Sequence, residues 1–254
     1  MTDLPRPVDV CVPVLQKPPT MFEENLKKEI PVNKILYSYT VPLGTARQEL
    51  IERVETEYFA FVDSDIELLP GWFSKMWSLF DGPNVGGADG MWSYTIEPEV
   101  DAYTDAMRDL AHLLGKKTAV EKIARAFYGD VLIRTESVKG IRIPPIPIYE
   151  DEFIRRYIVS RGFTWKRLQE VVCLHHRKLN VGQAWASGFY SYKFGMMSAE
   201  QAVRNLVTII PKSLYAVAKT RMWKIIPMQV RREVLTSLGC LTAWTKRDSY
   251  KGEA

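Results

Sequence analysis

The sequence predicts an α/β fold, in which an open sheet is covered by helices. Short runs of aliphatic and aromatic residues, at 8–15 and 58–62, are typical of strands that are buried on both faces. They alternate with segments whose apolar residues recur at helical spacing, for example between Pro98 and Gly115. A chain of 254 residues that is 46% hydrophobic is long and apolar enough for one large domain with an appendage.

The most informative stretch is the one in which residues 58–62 lead directly into Asp63 and Asp65. In open α/β sheets, ligands bind beyond the carboxyl ends of the strands. Two carboxylates at one strand end repel each other, and a hard cation such as Mg2+ or Mn2+ would offset that repulsion. The pair therefore predicts a metal–diphosphate site. Taken alone, it is explained equally well as a capped turn before the helix that Pro70 starts.

Two further features precede the acidic pair. The predicted first strand carries Pro13 near its end, which indicates that the chain leaves the sheet there and turns toward a ligand. Gly44 and Thr45 open a predicted helix that places Arg47 in its first turn. The helix dipole disfavours a cation at that place, so we expect Arg47 to meet an anion from another part of the chain. The alternative is a solvated surface arginine.

Carboxylates stand in a row at Glu150, Asp151 and Glu152, just before a helical pattern of apolar residues. Acidic residues favour a helix N-terminus, so a structural cap explains them as well as a functional role does. A carboxylate at a helix mouth facing the crevice is also where a general base can stand. Further along, His175 and His176 end an apolar segment. Neighbouring residues of a strand point to opposite sides, so we expect at most one of the two to face a metal.

Several classes of protein are excluded by what the sequence lacks. It contains no Gly-x-Gly-x-x-Gly, P-loop or His-Glu-x-x-His motif, which excludes the dinucleotide-binding, P-loop and zincin classes. Its three cysteines are widely spaced, which argues against a disulfide framework and indicates a reducing compartment. The N-terminus has no signal-peptide pattern, and no apolar run approaches the length of a transmembrane helix. We therefore expect a protein that is cytoplasmic or lies on the cytoplasmic face of a membrane.

The C-terminal part differs from the rest in charge. From residue 203 onward the sequence contains ten Lys or Arg against three Asp or Glu, whereas the whole chain carries a net charge of +4. Apolar residues recur there at helical spacing, with Pro211 predicted to separate two helices. The cations lie among Met, Trp and Ile, a pattern that suits a membrane interface and argues against nucleic-acid binding. Helices that pack on the main domain and expose a solvated basic face are the alternative.

Taken in order, these pieces resemble the family 2 glycosyltransferases, which have the GT-A fold. The resemblance covers residues 8–178 and rests on several pieces: the opening strand with its proline, the Ala46-Arg47 helix, the Asp63-Ser-Asp65 strand end, the Glu150-Asp151 pair before two arginines, and a terminal histidine. It implies a Rossmann-like mixed sheet flanked by helices, with a C-terminal amphipathic helical extension. We expect the catalytic domain at residues 1–180, with a donor half at about 1–95 and an acceptor half at about 96–180, and the extension at 181–254.

The resemblance also implies a reaction. Such an enzyme moves one sugar from a UDP- or GDP-linked donor to a hydroxyl or phosphate acceptor, with inversion at the anomeric carbon. Asp65 would be a direct ligand of Mn2+ or Mg2+, and Asp63 would contact the metal or the nucleotide. Either His175 or His176 would be a further ligand of the metal.

The remaining implied roles concern the acceptor and the donor. Asp151 would be the general base, and Pro13 and Arg47 would help to bind the donor. Two departures from the family's pattern bear on specificity. The acidic pair that often follows the second strand is replaced by Tyr37-Ser-Tyr39, which leaves the donor base open. The Gln-x-x-Arg-Trp motif of processive synthases is absent, which favours transfer of a single sugar.

Two other functions remain as alternatives. A nucleotidyltransferase of related fold would also place metal-binding carboxylates at strand ends, but it would release pyrophosphate. An inactive module that binds carbohydrate or membrane is the second alternative. If the basic C-terminal part lies on a membrane, the acceptor is expected to be a lipid-linked sugar or a polyprenyl phosphate.

Overall fold

Seven strands form one mixed sheet in the computed structural model, which describes residues 7–117, 126, 129–176 and 181–246. The strands are β1 (Val8–Pro13), β2 (Val32–Ser38), β3 (Tyr58–Val62), β4 (Ile66–Leu68), β5 (Val85–Tyr94), β6 (Asp130–Arg134) and β7 (Thr164–His175). Their order across the sheet is β2-β1-β3-β6-β5-β7-β4. Strand β1 is parallel to β2 and β3, whereas β6 is antiparallel to both of its neighbours. The predicted α/β class with a mixed sheet is confirmed.

Eight α-helices accompany the sheet in the described residues. They are α1 (Thr20–Glu29), α2 (Leu43–Glu52), α3 (Trp72–Trp77), α4 (Pro98–Leu113), α5 (Glu150–Ser160), α6 (Val181–Lys193), α7 (Ala199–Thr220) and α8 (Ile225–Thr245). A short 3-10 turn at Thr135–Val138 follows β6.

The alternation of side chains along β3 explains how the sheet is covered. Phe59 and Phe61 point to one face and pack with apolar residues of α2 and α5. Ala60 and Val62 point to the other face and pack with residues of α1 and α3, among them Trp72. All five residues of β3 are buried, as the sequence predicted for a strand covered on both sides. The helix at Trp72 therefore packs on the sheet.

Strand β7 is continuous from Thr164 to His175, although the polar residues 169–170 interrupt its apolar pattern. Its pairing with the parallel strand β5 shifts register around Met91, so the polar residues are accommodated in an irregular stretch of the ladder. The continuous strand carries His175 to the same edge of the sheet as the turn after β3.

Contacts along the chain define two compact units, and each is described by itself. The first comprises residues 1–95 and 119–176 and contains the sheet; the second comprises 96–118 and 177–253. The sequence assigned residues 96–118 to the acceptor half, but Ala106 of α4 packs with Ala216 and Val217 of α7 and with Ile225 of α8. The predicted boundary at residue 180 lies outside the described residues.

The predicted break at Pro211 is wrong, because α7 runs unbroken through it from Ala199 to Thr220. Proline removes one backbone donor, which would otherwise bond to the carbonyl of Val207 four residues earlier. Both residues lie on the exposed side of the helix, where water can satisfy that carbonyl. The helix ends instead at Arg221, whose φ of 60° is left-handed. Among the described residues, no helix has the length and apolar character needed to cross a membrane.

One carboxylic acid lies deep within the sheet unit. Asp130 begins β6, opposite Val62 of β3, and is fully buried. Its Oδ2 accepts a hydrogen bond of 2.7 Å from the indole nitrogen of Trp72. Burial raises the pKa of Asp130 to about 8, although the indole donor opposes the rise. Asp130 therefore carries its proton at neutral pH in the folded protein.

The buried acid should make stability depend on pH. Because the pKa of Asp130 is raised in the folded state, we expect the free energy of unfolding to fall as pH rises from about 4 to about 8, by at most about 1.4 kcal/mol per pH unit. Asp130→Asn keeps an acceptor for Trp72 and cannot ionise, so its advantage over the parent should grow across this range. Urea unfolding at several pH values measures it, with the exposed Asp105→Asn as the control. Parallel profiles of parent and Asp130→Asn would contradict the burial of an ionisable acid here.

Two glycines bring α6 and α8 close together in the second unit. A Cβ atom added to Gly188 would lie 1.7 Å from the carbonyl oxygen of Thr236, and one added to Gly239 would lie 2.0 Å from that of Trp185. These contacts are with backbone, which cannot rotate away. The helices can therefore approach this closely only because both positions lack a side chain.

The Gly188→Ala substitution tests this packing. It should lower the free energy of unfolding by at least about 1–3 kcal/mol, because α6 and α8 must move apart to admit the methyl group. Chemical denaturation followed by far-ultraviolet circular dichroism measures the loss. Gly82→Ala is the control, since an added Cβ there meets no atom within 4 Å. Equal stability of the two variants would show that the helices are not in close contact.

Candidate active site

The predicted strand-end residues meet at one edge of the sheet. Asp63 directly follows β3, and its backbone N–H bonds to the carbonyl of Gly129. Strand β1 is parallel to β3 with Cys11 opposite Phe61, so Pro13 ends β1 level with Asp63. Pro13 is buried there, and β1 ends at this residue as the sequence predicted. The sheet thus presents the carboxyl ends of two parallel strands at the place where open α/β sheets bind ligands.

Arg47 of α2 connects two parts of this edge. Its Nη2 lies 3.0 Å from Oδ1 of Asp63, and its Nε lies 3.0 Å from Oε1 of Glu150 at the start of α5. The side chain is 1% exposed, and its guanidinium lies 4.7 Å from the centre of the Phe61 ring. Arg47 therefore meets anions from distant parts of the chain, as expected from its place in the first turn of α2. The surface-arginine alternative is wrong.

Burial and neighbouring charges act in opposite directions on the ionisable groups around Arg47. Burial alone would lower the pKa of Arg47, but Asp63 and Glu150 outweigh it and raise the pKa. Burial raises the pKa of Asp63 to about 6 against the opposing effect of Arg47, and Asp65 adds to the rise. Burial likewise raises the pKa of Glu150 to about 7, with Asp151 adding to it. The site holds more carboxylate than one arginine neutralises, so an added cation would be stabilised here.

The two histidines have different surroundings. Nε2 of His175 lies 3.2 Å from Oδ2 of Asp65, and the buried ring stacks on Tyr94 with the centroids 5.2 Å apart. The half-exposed ring of His176 instead pairs with Oε2 of Glu67 at 2.8 Å. This difference follows from the alternation of side chains at the end of β7. Of the two candidates, His175 stands beside Asp65, and His176 lies outside that cluster.

These residues fit a divalent cation that is shared with a bound diphosphate. Within the part of the chain that the structure describes, no three His, Cys, Asp or Glu side chains form a complete metal-binding group. Asp65 and His175 supply two ligand side chains. Among described residues, the buried Nδ1 of His175 has no hydrogen-bond partner, and Nε2 has only its 3.2 Å contact with Asp65. Mg2+ is typically held by one or two carboxylates together with substrate phosphates, so an incomplete protein set suits this role.

The carboxylates at the start of α5 differ in how they are held. Glu152 is locked in place: it bonds to the guanidinium groups of Arg155 and Arg156, which lower its pKa against the effect of burial. Asp151 is 7% exposed, and its Oδ1 accepts the N–H of Glu152 at 2.7 Å. The contact joins neighbouring residues inside the first turn of α5, where the helix dipole favours all three carboxylates of the acidic run.

Two further carboxylates belong to this region: Glu150, which the sequence placed in the acidic row without a role of its own, and Glu49, which the sequence did not single out. Glu150 holds Arg47, and the signal for it was the expected anion partner of that arginine. Glu49 of α2 accepts hydrogen bonds from Ser38 at 2.7 Å and from Thr40 at 2.6 Å, and these two donors lower its pKa. It thereby places an acidic group beside the end of β2, where the tyrosines of the sequence motif had left none.

Comparisons with known proteins agree with this architecture. The model of glycosyl transferase family 2 matches residues 20–142. The fold is similar to structures of glucosyl-3-phosphoglycerate synthase from Mycobacterium tuberculosis. A complex of it with Mn2+, UDP and phosphoglyceric acid aligns with a TM-score of 0.51 and 13% identity, covering 74% of this chain and 75% of that chain. A complex with Mn2+ and UDP-glucose aligns with a TM-score of 0.50 and 13% identity, covering 74% and 78%.

At 13% identity, the similarity to these structures establishes the fold alone. The class of enzyme rests on the match to the family model. No curated protein matches the sequence. The matched residues include β3, Asp63, Asp65 and Arg47. Residues 20–142 therefore match glycosyl transferase family 2, and the sheet and its helices have the GT-A fold of the similar structures.

Proposed function

We propose that the protein transfers one sugar from a nucleoside diphosphate sugar to a hydroxyl or phosphate acceptor, with inversion at the anomeric carbon. The observation that carries the proposal is the linked cluster at the sheet edge, in which Arg47 joins Asp63 to the start of α5. Asp65 and His175 stand together at the same edge. The similar solved structures contain UDP or UDP-glucose, which makes UDP-glucose the first donor to test, while a GDP-linked donor remains open.

The donor's diphosphate would be held with Mn2+ or Mg2+, the former being present in the similar structures. Asp65 and His175 would bind the cation directly, and Asp63, whose Oδ1 is fixed by Arg47, would contact the cation or the nucleotide. When bound, the cation supplies charge stabilisation to the departing diphosphate. Pro13 lies level with Asp63 and would border the nucleotide.

Asp151 would act as the general base. In a single displacement, the acceptor oxygen gives its proton to Asp151 and bonds to the anomeric carbon, while the bond from that carbon to the diphosphate oxygen breaks. The nucleoside diphosphate leaves with the bonding electrons, and no covalent enzyme intermediate is needed. Glu150 is the competing base, because its pKa of about 7 suits proton transfer. Its hydrogen bond to Arg47 occupies Oε1 and favours Asp151 for the role.

The two alternatives are weakened by different observations. A nucleotidyltransferase is disfavoured by the match to a glycosyltransferase family model. An inactive module is disfavoured because the carboxylates and the histidine are all retained around one buried arginine. The identity of the acceptor, including a polyprenyl-phosphate-linked one at a membrane surface, remains a prediction from the sequence.

The proposed metal site is tested by Asp65→Asn, which preserves the size of the side chain but removes its charge. Changes to residues next to a metal ligand typically cost roughly 10- to 100-fold in affinity. Because Asp65 is a proposed ligand itself, we expect this variant to lose more than that in Mn2+-dependent UDP affinity. Calorimetric titration of UDP with and without Mn2+ measures this. Glu67→Gln is the matched control, since Glu67 lies two residues away and pairs with His176. The same dependence on Mn2+ in Asp65→Asn and the parent would remove Asp65 from the site.

The assignment of the base is tested by comparing Asp151→Asn with Glu150→Gln. Asp151→Asn should lower kcat by about a hundredfold or more while leaving UDP affinity nearly unchanged. Glu150→Gln can still accept a hydrogen bond from Arg47 and should keep much of the turnover. Steady-state rates of nucleoside diphosphate release decide between them. An active Asp151→Asn beside an inactive Glu150→Gln would transfer the role to Glu150.

A further inference from the structure

Helix α7 carries an exposed row of apolar side chains. Val203, Val207, Ile210 and Leu214 recur at spacings of four, three and four residues, so they lie along one line of the helix. Their exposed fractions are 50%, 73%, 47% and 50%. These four residues are called the α7 stripe. The opposite side of α7 is buried within its own unit through residues such as Ala202 and Ala216, so the stripe is not needed to hold that unit together.

Cations border the α7 stripe. Arg204 is exposed beside its first residue, and Arg221 is exposed directly after the C-terminal end of the helix. Among the described residues, neither has an ion-pair partner, and Glu200 is the one acidic residue of α7. Trp223 follows Arg221 and is 70% exposed. The sequence of the whole second unit contains sixteen Lys or Arg against nine Asp or Glu, an excess of seven positive charges.

We propose that the α7 stripe docks on an anionic lipid surface, with α7 lying in the plane of the membrane interface. The apolar side chains enter the boundary between headgroups and acyl chains, while Arg204 and Arg221 reach the anionic headgroups. Trp223 suits the same depth, because its ring is apolar and its N–H is polar. This binding does not depend on the proposed sugar transfer, and it would bring the enzyme to acceptors that reside in a membrane.

Charge favours a lipid surface over a second copy of the chain. Two copies that met through the α7 stripe would bring together two units that each carry seven excess positive charges, which repel. An anionic bilayer attracts the same charges, and each cation near its surface strengthens binding. Among described residues, no helix, α7 included, has an apolar stretch long enough to cross the bilayer, so α7 would lie on the surface.

The experiment uses the full chain and vesicles of phosphatidylcholine with or without phosphatidylglycerol, at low and high salt. The partition coefficient is measured by flotation. The parent should bind the vesicles that contain phosphatidylglycerol, and high salt should weaken the binding. Val207→Glu places a charge in the α7 stripe and should lower the partition coefficient at least about tenfold. Met21→Glu is the matched control, because Met21 of α1 is 76% exposed in the other unit, and it should bind like the parent.

A milder variant, Arg204→Gln, should lower binding about fivefold at low salt and little at high salt, since it removes one cation without adding a charge to the stripe. No binding by the parent, or equal binding by the parent and Val207→Glu, would overturn the proposal. So would sedimentation that shows a dimer in the parent and a monomer in Val207→Glu without lipid, because the stripe would then be a contact between copies. Mn2+-dependent UDP affinity should be unchanged in Val207→Glu, so a failure of lipid docking is distinguished from a failure of the sugar-transfer proposal.

Discussion

The buried guanidinium of Arg47 is the interaction on which the candidate site depends. It lies 3.0 Å from carboxylate oxygens of both Asp63 and Glu150, which are 87 positions apart in the chain. Burying an arginine is costly unless its charge is paired. Here two carboxylates pair with the guanidinium, and the face of the Phe61 ring contacts it. The same contacts fix the strand end proposed for the donor and the helix start proposed for the acceptor. One side chain thus couples the two halves of the proposed reaction.

The sheet makes this convergence possible through simple geometry. Parallel pairing of β1 with β3 brings their carboxyl ends to one edge, and the length of β7 brings His175 to that edge from the far side of the sheet. The strict alternation along β3 leaves Asp63 on the same face as Phe61, toward α2 and α5. Burial raises the pKa values of Asp63 and Glu150, and the excess of carboxylate over arginine adds to the rise. A cation and an anionic ligand arriving together would relieve that excess.

The sequence alone predicted those elements whose conformation depends on residues close by in the chain. The buried strand before Asp63, the helix that bears Arg47 and the expectation that this arginine meets an anion all followed from hydrophobic spacing and the helix dipole. Long-range pairing could not be read in the same way. The partner Glu150, the choice of His175 over His176 and the grouping of α4 with α7 depend on contacts between distant segments. The continuity of α7 through Pro211 depended on its exposure to water.

The central claim is that Asp65 and His175 hold a divalent cation together with the donor's diphosphate. X-ray diffraction from crystals grown with UDP and Mn2+ tests it most directly, because manganese gives an anomalous signal that locates it without reference to any model. The account predicts one strong peak within coordination distance of an Asp65 oxygen, a ring nitrogen of His175 and the oxygens of both phosphates, with Arg47 still bonded to Asp63. A diphosphate bound without manganese, or manganese at a place that Asp65 and His175 do not touch, would contradict it.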